Sequence, residues 1–307
     1  MTSTLPRQVL DESPTERLRR WADEWRQMAA VAVSSADGPK TGLVYDIVGT
    51  QNLFGEESLF INFGYWRNHP ATLDEASRDL ARLVARSADF GPADVVVDCG
   101  CGYGDQDILW AKEFGVQGIT GVNLAEEQIE ISTQRVAEAG LSDTVKYVKA
   151  SATELPFDDE SCTKVVALES AFHFPSRRDF FTEALRVLKP GGRLVTADIV
   201  PRSSLATAFA RGRAERSGWR DAPEATLRAA VDLRGYRELL LGTGFDRAET
   251  WSISKDVYPP LGKFLSKRLR DPDMRHINPI WRLSFNSVGF RVTSLFSDYM
   301  VAVAHKD

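Results

Sequence analysis

The fold is decided by the stretch VVVDCGCGYGDQDILW, residues 95–110. It opens on three valines, passes through Asp98, and then sets glycines at alternate positions, Gly100, Gly102 and Gly104. Consecutive β-branched residues predict a strand buried on both faces, as in a parallel sheet covered by helices. Glycines straight after such a strand let the chain turn sharply and let its backbone approach whatever lies beyond the strand end. The residues that follow, DQDILWAKEFG, predict a helix that stops at Gly115.

Outward from that stretch the alternation repeats. VQGITGVNL predicts a second strand, AEEQIEISTQRVAEAGL a helix ended by Gly140, TVKYVKASA and CTKVVALES two more strands. SRRDFFTEALRVLKPGG predicts a helix with Pro-Gly-Gly as its stop, and RLVTADIV a fifth strand. Strand and helix alternating over short connections predict an α/β fold, a Rossmann-like doubly wound sheet. Upstream, TLDEASRDLARLVARSA predicts a helix with Thr72 as N-cap and acids in its first turn. Downstream, TLRAAVDLRGYRELLLGTGF predicts a helix before a strand from 246, and SDYMVAVAHKD closes the chain as a strand.

The flanks are less regular. Residues 1–72 read as an N-terminal helix and a cap segment, and 73–307 as the main domain, with irregular lid insertions at 201–230 and 257–290. PTERLRRWADEWRQMAAVAV aligns Leu18, Trp21, Trp25 and Met28 on one helical stripe. That stripe packs on its own domain, covers a pocket or exchanges with a neighbouring subunit; SSADGPKTG then reads as a loop. YDIVGTQNLFGEESLFINFGYW reads as an aromatic cap segment ending in a Gly-Tyr-Trp turn. Phe54, Phe60, Phe63, Phe172, Phe174, Phe209 and Trp219 fall in segments that flank the strand ends and predict an apolar acceptor chamber, or else a core of the cap itself. Arg202, Arg211, Arg213, Arg216 and Arg220, interleaved with Glu215 and Asp221, predict a solvated helix face; turned inward, they would clamp an anion such as a diphosphate.

Composition narrows the classes. The 307 residues carry 38 basic and 43 acidic side chains, a net charge of −5, which is no footprint for a nucleic-acid partner. No apolar run reaches the length of a membrane span, and the first 20 residues lack the apolar region of a secretory signal. Three cysteines, an odd number, predict free thiols in a reducing cytoplasm. Cys99 and Cys101 flank Gly100, and the four histidines are scattered at 69, 173, 276 and 305, so these read as small packing residues and no metal site is expected.

Two ligands suit a glycine turn at a parallel strand end, a dinucleotide and S-adenosylmethionine (SAM). The spacing Asp98-x-Gly100-x-Gly102-x-Gly104 brings the third glycine one residue too early for the dinucleotide fingerprint. Asp98 stands where a carboxylate can meet the amino-acid end of SAM, often through water. Asn123 follows the second strand, within reach of the ribose hydroxyls, and Ala152 and Thr153 follow the third, beside the adenine edge. The competing readings are an architectural turn, an NAD-dependent oxidoreductase and a SAM-binding sensor without catalysis.

The motifs VVVDCGCGYG, GVNLAEEQ, ASATELPFDDES, VVALESAFHF and ALRVLKPGGRLVTADIV resemble those of the class I SAM-dependent methyltransferases over about residues 73–200. The resemblance implies a seven-stranded sheet in which SDYMVAVAHK is inserted antiparallel, with a helical and aromatic cap over the acceptor site. INFGYW, LESAFH and LKPGG are similar to the erythromycin-type natural-product O-methyltransferases. FGYW and a Glu at the fourth strand exit also occur in C-methyltransferases that alkylate sterol and prenyl double bonds. Many relatives carry an acid where this chain has Asn123; an amide still bonds a ribose, with less charge assistance. As cofactor-binding residues the resemblance implies Asp98, Gly100, Cys101, Gly102, Gly104, Gln106, Asn123, Leu124 and Gln128. It adds Ser151, Ala152 and Thr153, with Glu169 and Tyr65 at the reacting end. Tyr65, Trp66, Phe172, Phe174, Phe209 and Trp219 are the expected acceptor contacts.

Two chemistries remain open. A hydroxyl acceptor must lose its proton, and His173, in the loop after the fourth strand, is the candidate base. A double bond would instead become a carbocation on methylation, and Glu169 is the candidate group beside it. The expected partner is a small, largely apolar molecule of specialised metabolism; the N-terminal helix could also support a homo-oligomer.

Overall fold

The computed structural model describes residues 13–33, 55, 57–202, 231–272, 274, 277–279, 282 and 285–307. The expected loop at 34–42, and Phe54, Phe209, Trp219, Arg211, Arg213, Arg216 and Arg220, lie outside the described residues.

Seven strands form one sheet: β1 Val95–Cys99, β2 Gly118–Asn123, β3 Val145–Lys149, β4 Cys162–Leu168, β5 Leu188–Pro201, β6 Arg247–Ser252 and β7 Ser297–His305. Their order is β3-β2-β1-β4-β5-β7-β6. The first five run parallel, and β7 lies antiparallel between β5 and β6. The strand order reverses between β1 and β4, so the crevice for a ligand opens at their carboxyl ends.

Among the described residues eight α-helices accompany the sheet: α1 Pro14–Val33, α2 Leu73–Ala88, α3 Asp105–Phe114, α4 Glu126–Glu138, α5 Arg177–Val187, α6 Leu233–Thr243, α7 Ser254–Arg268 and α8 Ser287–Phe296. Alternation along β1 divides the core. Val96 joins Leu80, Val84, Trp110 and Tyr258 on one face of the sheet. Val97 joins Phe180, Phe181, Tyr236 and Leu240 on the other. Thr72 caps α2 by accepting from the Glu75 amide at 3.2 Å. Among the described residues no helix is long and apolar enough to cross a membrane.

Four expectations need correction. Pro-Gly-Gly does not stop α5. That helix ends at Val187, Leu188 already pairs with Cys162, and the glycines sit within the span of β5 beside a register shift. The helix expected from Thr226 is capped at Asp232, whose side chain accepts from the Gly235 amide at 2.9 Å; residues 226–230 are outside the described set. Residues 257–290 are not irregular throughout, because α7 and the start of α8 fall there. Pro259 and Pro260 lie inside α7. Pro260 has no N–H to give to the Asp256 carbonyl four residues back, and that carbonyl accepts from the Trp66 amide instead, at 2.8 Å. The proline pair thus ties the cap segment to the domain. Finally, Leu18 is 62% exposed rather than packed. Helix α1 still touches its own chain, where Asn278 donates to the Trp21 carbonyl at 3.4 Å.

Candidate functional site

The loop after β1 is held by its own backbone. The amides of Gly100 and Cys101 both donate to the Val122 carbonyl, at 2.8 and 3.3 Å, and the Gly104 amide donates to the Cys101 carbonyl. Gln106 donates from Nε2 to Asp98 Oδ2 at 2.9 Å and to the Cys101 carbonyl at 3.0 Å. Arg135 on α4 grips the loop from outside through Tyr103's carbonyl and a two-pronged pair with Asp105 at 2.6 and 2.8 Å.

The three glycines have positive φ, of 85°, 56° and 76°, but different neighbours. A side chain at Gly100 would collide with Ser170, and one at Gly104 with the Tyr147 hydroxyl. A Cβ at Gly102 would meet only Ile61 Cδ1, at 3.9 Å. Two glycines therefore serve internal packing, and Gly102 alone opens on the crevice. Its N–H takes no hydrogen bond among the described residues. Beneath it, Asp98 is fully buried with Oδ1 unpartnered, and burial lifts its carboxyl to about 7.

Residues 57–66 strap across this loop. Ser58 donates to Asp74, the Leu59 amide to Asp105 at 3.3 Å, the Phe63 amide to Glu169 Oε1 at 2.5 Å and the Tyr65 amide to the Ala76 carbonyl at 2.8 Å. Tyr65 and Trp66 are buried in the domain core. The Trp66 ring lies 5.1 Å from that of Phe264, and its N–H donates to the Phe63 carbonyl. This ring is committed to α7, so its contribution to the site is the anchoring of the strap.

The next two strand exits form the rim. Asn123 donates to Gln128 at 2.6 Å and accepts from the Leu124 amide, while the Leu124 side chain is 63% exposed. Ser151 and Thr153 share a hydrogen bond at 2.8 Å, with Ala152 buried between them. Arg186 and Glu183 of α5 pin that loop by bonding the backbone of Leu155 and Phe157.

The exit of β4 holds the titratable groups. Glu169 has a left-handed backbone, φ 51°, and is 7% exposed. Its Oε1 accepts from both the Phe63 amide and the Tyr299 hydroxyl. Burial pushes its carboxyl up to about 8, against those two hydrogen bonds. His173 closes the short 3-10 turn Ala171–His173 and is half-buried, with the Phe172 ring 3.9 Å away. Burial lowers it to about 4, with Asp198 opposing and Arg177 assisting. Arg177 and Asp198 form a buried pair at 2.9 and 3.3 Å. Phe174 packs edge-on against Phe180 in the core. Arg177, Asp198, Tyr299 and Asp107 are not among the site residues expected from the sequence. An acid inside the apolar run LVTADIV was the available signal for Asp198.

Residues 97–196 match the family described as methyltransferase domain. The chain is 31% identical to erythromycin 3''-O-methyltransferase of Saccharopolyspora erythraea over 280 residues, covering 88% of this chain and 87% of that protein. The chain belongs to the SAM-dependent methyltransferases. This methyltransferase is also 32% identical to 27-O-demethylrifamycin SV methyltransferase of Amycolatopsis mediterranei, over 73% of its own length and 80% of the relative's. In fold it is similar to geranyl diphosphate C-methyltransferase of Streptomyces coelicolor, solved with Mg2+, geranyl diphosphate and S-adenosylhomocysteine. That likeness has a TM-score of 0.59 at 21% identity, covering 77% of this chain and 83% of the other.

S-adenosyl-L-methionine is accordingly the cofactor, and the site fits it. The crevice is open at Gly102, an unpartnered carboxylate oxygen lies beneath, and an exposed Leu124 forms an apolar rim at the β2 exit.

Proposed function

We propose that this methyltransferase O-methylates a hydroxyl of a small, largely apolar natural product, with His173 as the proton acceptor. The cofactor supplies an electrophilic methyl group, so the protein's tasks are alignment, exclusion of water and removal of one proton. Asp98, Gly102, Asn123, Ala152 and Thr153 hold the cofactor along the strand ends. Gln106 and Gln128 brace this cradle, Gly100, Cys101 and Gly104 form its backbone, and Leu124 and Ser151 its rim, while Tyr65, buried in the core, anchors the strap.

The observation that carries the proposal is the place of His173 in the short turn Ala171–His173 that follows the exit of β4. It leaves the strand beside Glu169, and burial keeps it unprotonated across neutral pH. It can therefore take the hydroxyl proton as the oxygen–methyl bond forms and the methyl–sulfur bond breaks. The Arg177–Asp198 pair holds a countercharge nearby for the imidazolium that results. Two relatives, named erythromycin 3''-O-methyltransferase and 27-O-demethylrifamycin SV methyltransferase, support the same acceptor class.

C-methylation of an isoprenoid double bond is the second reading. It is favoured by Glu169 together with a cluster of aromatic rings, in which Phe63 lies 5.6 Å from Phe290 and 6.3 Å from Tyr299. Against it, a carboxyl held near 8 is largely neutral at pH 7 and offers a cation little charge. Incubating the protein with SAM and a panel of macrolide, rifamycin-like and prenyl acceptors separates the two. O-methylation requires a methylated product whose formation is abolished by His173→Ala and retained in Glu169→Gln. Activity that survives His173→Ala and vanishes in Glu169→Gln refutes the O-methyl reading.

A further inference from the structure

Behind the glycine loop, Asp98 of β1 faces a second acid, Asp107 of α3. Asp107 is fully buried, and neither of its oxygens accepts a hydrogen bond from a nitrogen or hydroxyl. The Tyr147 hydroxyl lies beside it, near enough to act on the carboxyl but outside hydrogen-bond geometry, and Asp98 Oδ1 accepts from no nitrogen or hydroxyl. The groups that act on Asp107 are Asp98, the Tyr147 hydroxyl of β3 and Asp105 of its own helix. Those that act on Asp98 are Gln106 and Asp107, with the thiols of Cys99 and Cys101 alongside. Arg135 of α4, the cation facing Asp105 and Tyr147, is already paired with Asp105.

Two carboxyls face to face in a dry site cannot both ionise. A carboxyl can bond a carboxylate only by keeping its proton and donating it. The asymmetry between them decides which one does. Asp98 accepts Gln106's amide at 2.9 Å, whereas neither oxygen of Asp107 accepts from a nitrogen or hydroxyl, so the charge settles on Asp98 and the proton on Asp107.

We propose that Asp107 is a positioning residue of the cofactor site: it keeps its proton and donates it to Asp98, fixing Asp98 as an oriented carboxylate for the ammonium of the cofactor's amino-acid end. In mild acid the pair takes up a second proton, on Asp98. Binding of the ammonium favours the singly protonated pair, so that proton passes to the buffer. The inference rests on the placement of Asp98 at the cofactor's amino-acid end proposed above, and it holds whichever acceptor is methylated.

The test is calorimetry of S-adenosylhomocysteine binding to the full-length protein, in buffers of different ionisation enthalpy, at about pH 6, 7 and 8.5. Wild type is expected to release close to one proton at the lowest pH and almost none at the highest, with affinity falling in acid. Asp107→Asn, whose amide still donates, is expected to keep wild-type affinity within about threefold and an unmoved midpoint. Asp107→Leu removes the donor without removing a charge. It is expected to move the midpoint up by about one pH unit and to weaken binding about tenfold at pH 7, with recovery in base. Binding without proton release in wild type overturns the proposal, as does a Leu variant with an unmoved midpoint. Should the Leu variant fail to fold, the Asn variant decides, since a shifted midpoint there is equally fatal. Asp98→Asn separates the two levels. If it binds as tightly as wild type, the placement of Asp98 fails and carries the proposal with it; if it weakens binding while Asp107→Leu changes nothing, only the role of Asp107 falls.

Discussion

Replacing Glu169 by Gln should flatten the pH dependence of stability. The side chain is 7% exposed, its Oε1 accepts two hydrogen bonds, and burial raises it from 4.5 to about 8. A carboxyl raised on folding binds its proton more tightly in the native state than in the unfolded chain. Its contribution is therefore intact below the unfolded value, is lost as pH rises through the window between the two, and levels off above about 8. Between pH 5 and 8 the loss amounts to about 3 to 4 kcal/mol as an upper figure, at 1.36 kcal/mol per unit. Glutamine preserves the shape and both acceptor contacts but does not titrate. Urea unfolding at those two pH values should show wild type losing about 3 kcal/mol more than the variant, a relative midpoint shift on the order of 1 M. Asp98 adds a slope of the same sign to both proteins and cancels. Parallel curves for wild type and Glu169→Gln would refute the claim that this carboxyl is neutral in the folded protein, and would restore the charge that a carbocation mechanism needs.

His173→Ala should lower kcat by about 10²–10⁴ while leaving S-adenosylhomocysteine affinity unchanged by calorimetry. Because His173 is lowered to about 4, the acid limb of the wild-type rate profile should not show a histidine step near 6.5. Gly104→Ala should destabilise the fold through the Tyr147 hydroxyl and a left-handed backbone that costs an alanine about 1–2 kcal/mol. Gly102→Ala should suffer only the backbone cost and instead lose cofactor affinity, so melting and calorimetry will rank the two variants in opposite order. Arg177→Met strands a buried carboxylate and should cost about 3–5 kcal/mol in urea unfolding; it should also raise the His173 titration seen by NMR, since a cation that depresses it is gone.

In the parallel half of the sheet β1 and β4 were legible as apolar runs closed by turn signals and buried along almost their whole length, whereas the partly exposed edge strand β3 was legible from its place after a helix ended at Gly140. The corrections fall where a local signal competes with tertiary context. Pro-Gly-Gly reads as a helix stop, yet Leu188 is already drawn into pairing with Cys162. Residues 257–290 read as irregular, yet Pro259 and Pro260 fall inside α7, where the Asp256 carbonyl that Pro260 cannot bond accepts from the Trp66 amide. At the site, strand position alone put Asp98, Asn123, Thr153, Glu169 and His173 at one end of the sheet. What each glycine faces could not be read, since Ser170 and Tyr147 come from distant strands. The same holds for the Arg177–Asp198 and Asp98–Asp107 pairs, where each residue is unremarkable in sequence and acquires meaning only from its partner.

A crystal structure with S-adenosylhomocysteine tests the central claim most directly. The account predicts adenosine across Gly102 and the β2 and β3 exits, the amino-acid end over Asp98, and the sulfur turned toward His173 and Glu169. A nucleoside bound elsewhere, or a sulfur turned away from the β4 exit, would contradict it.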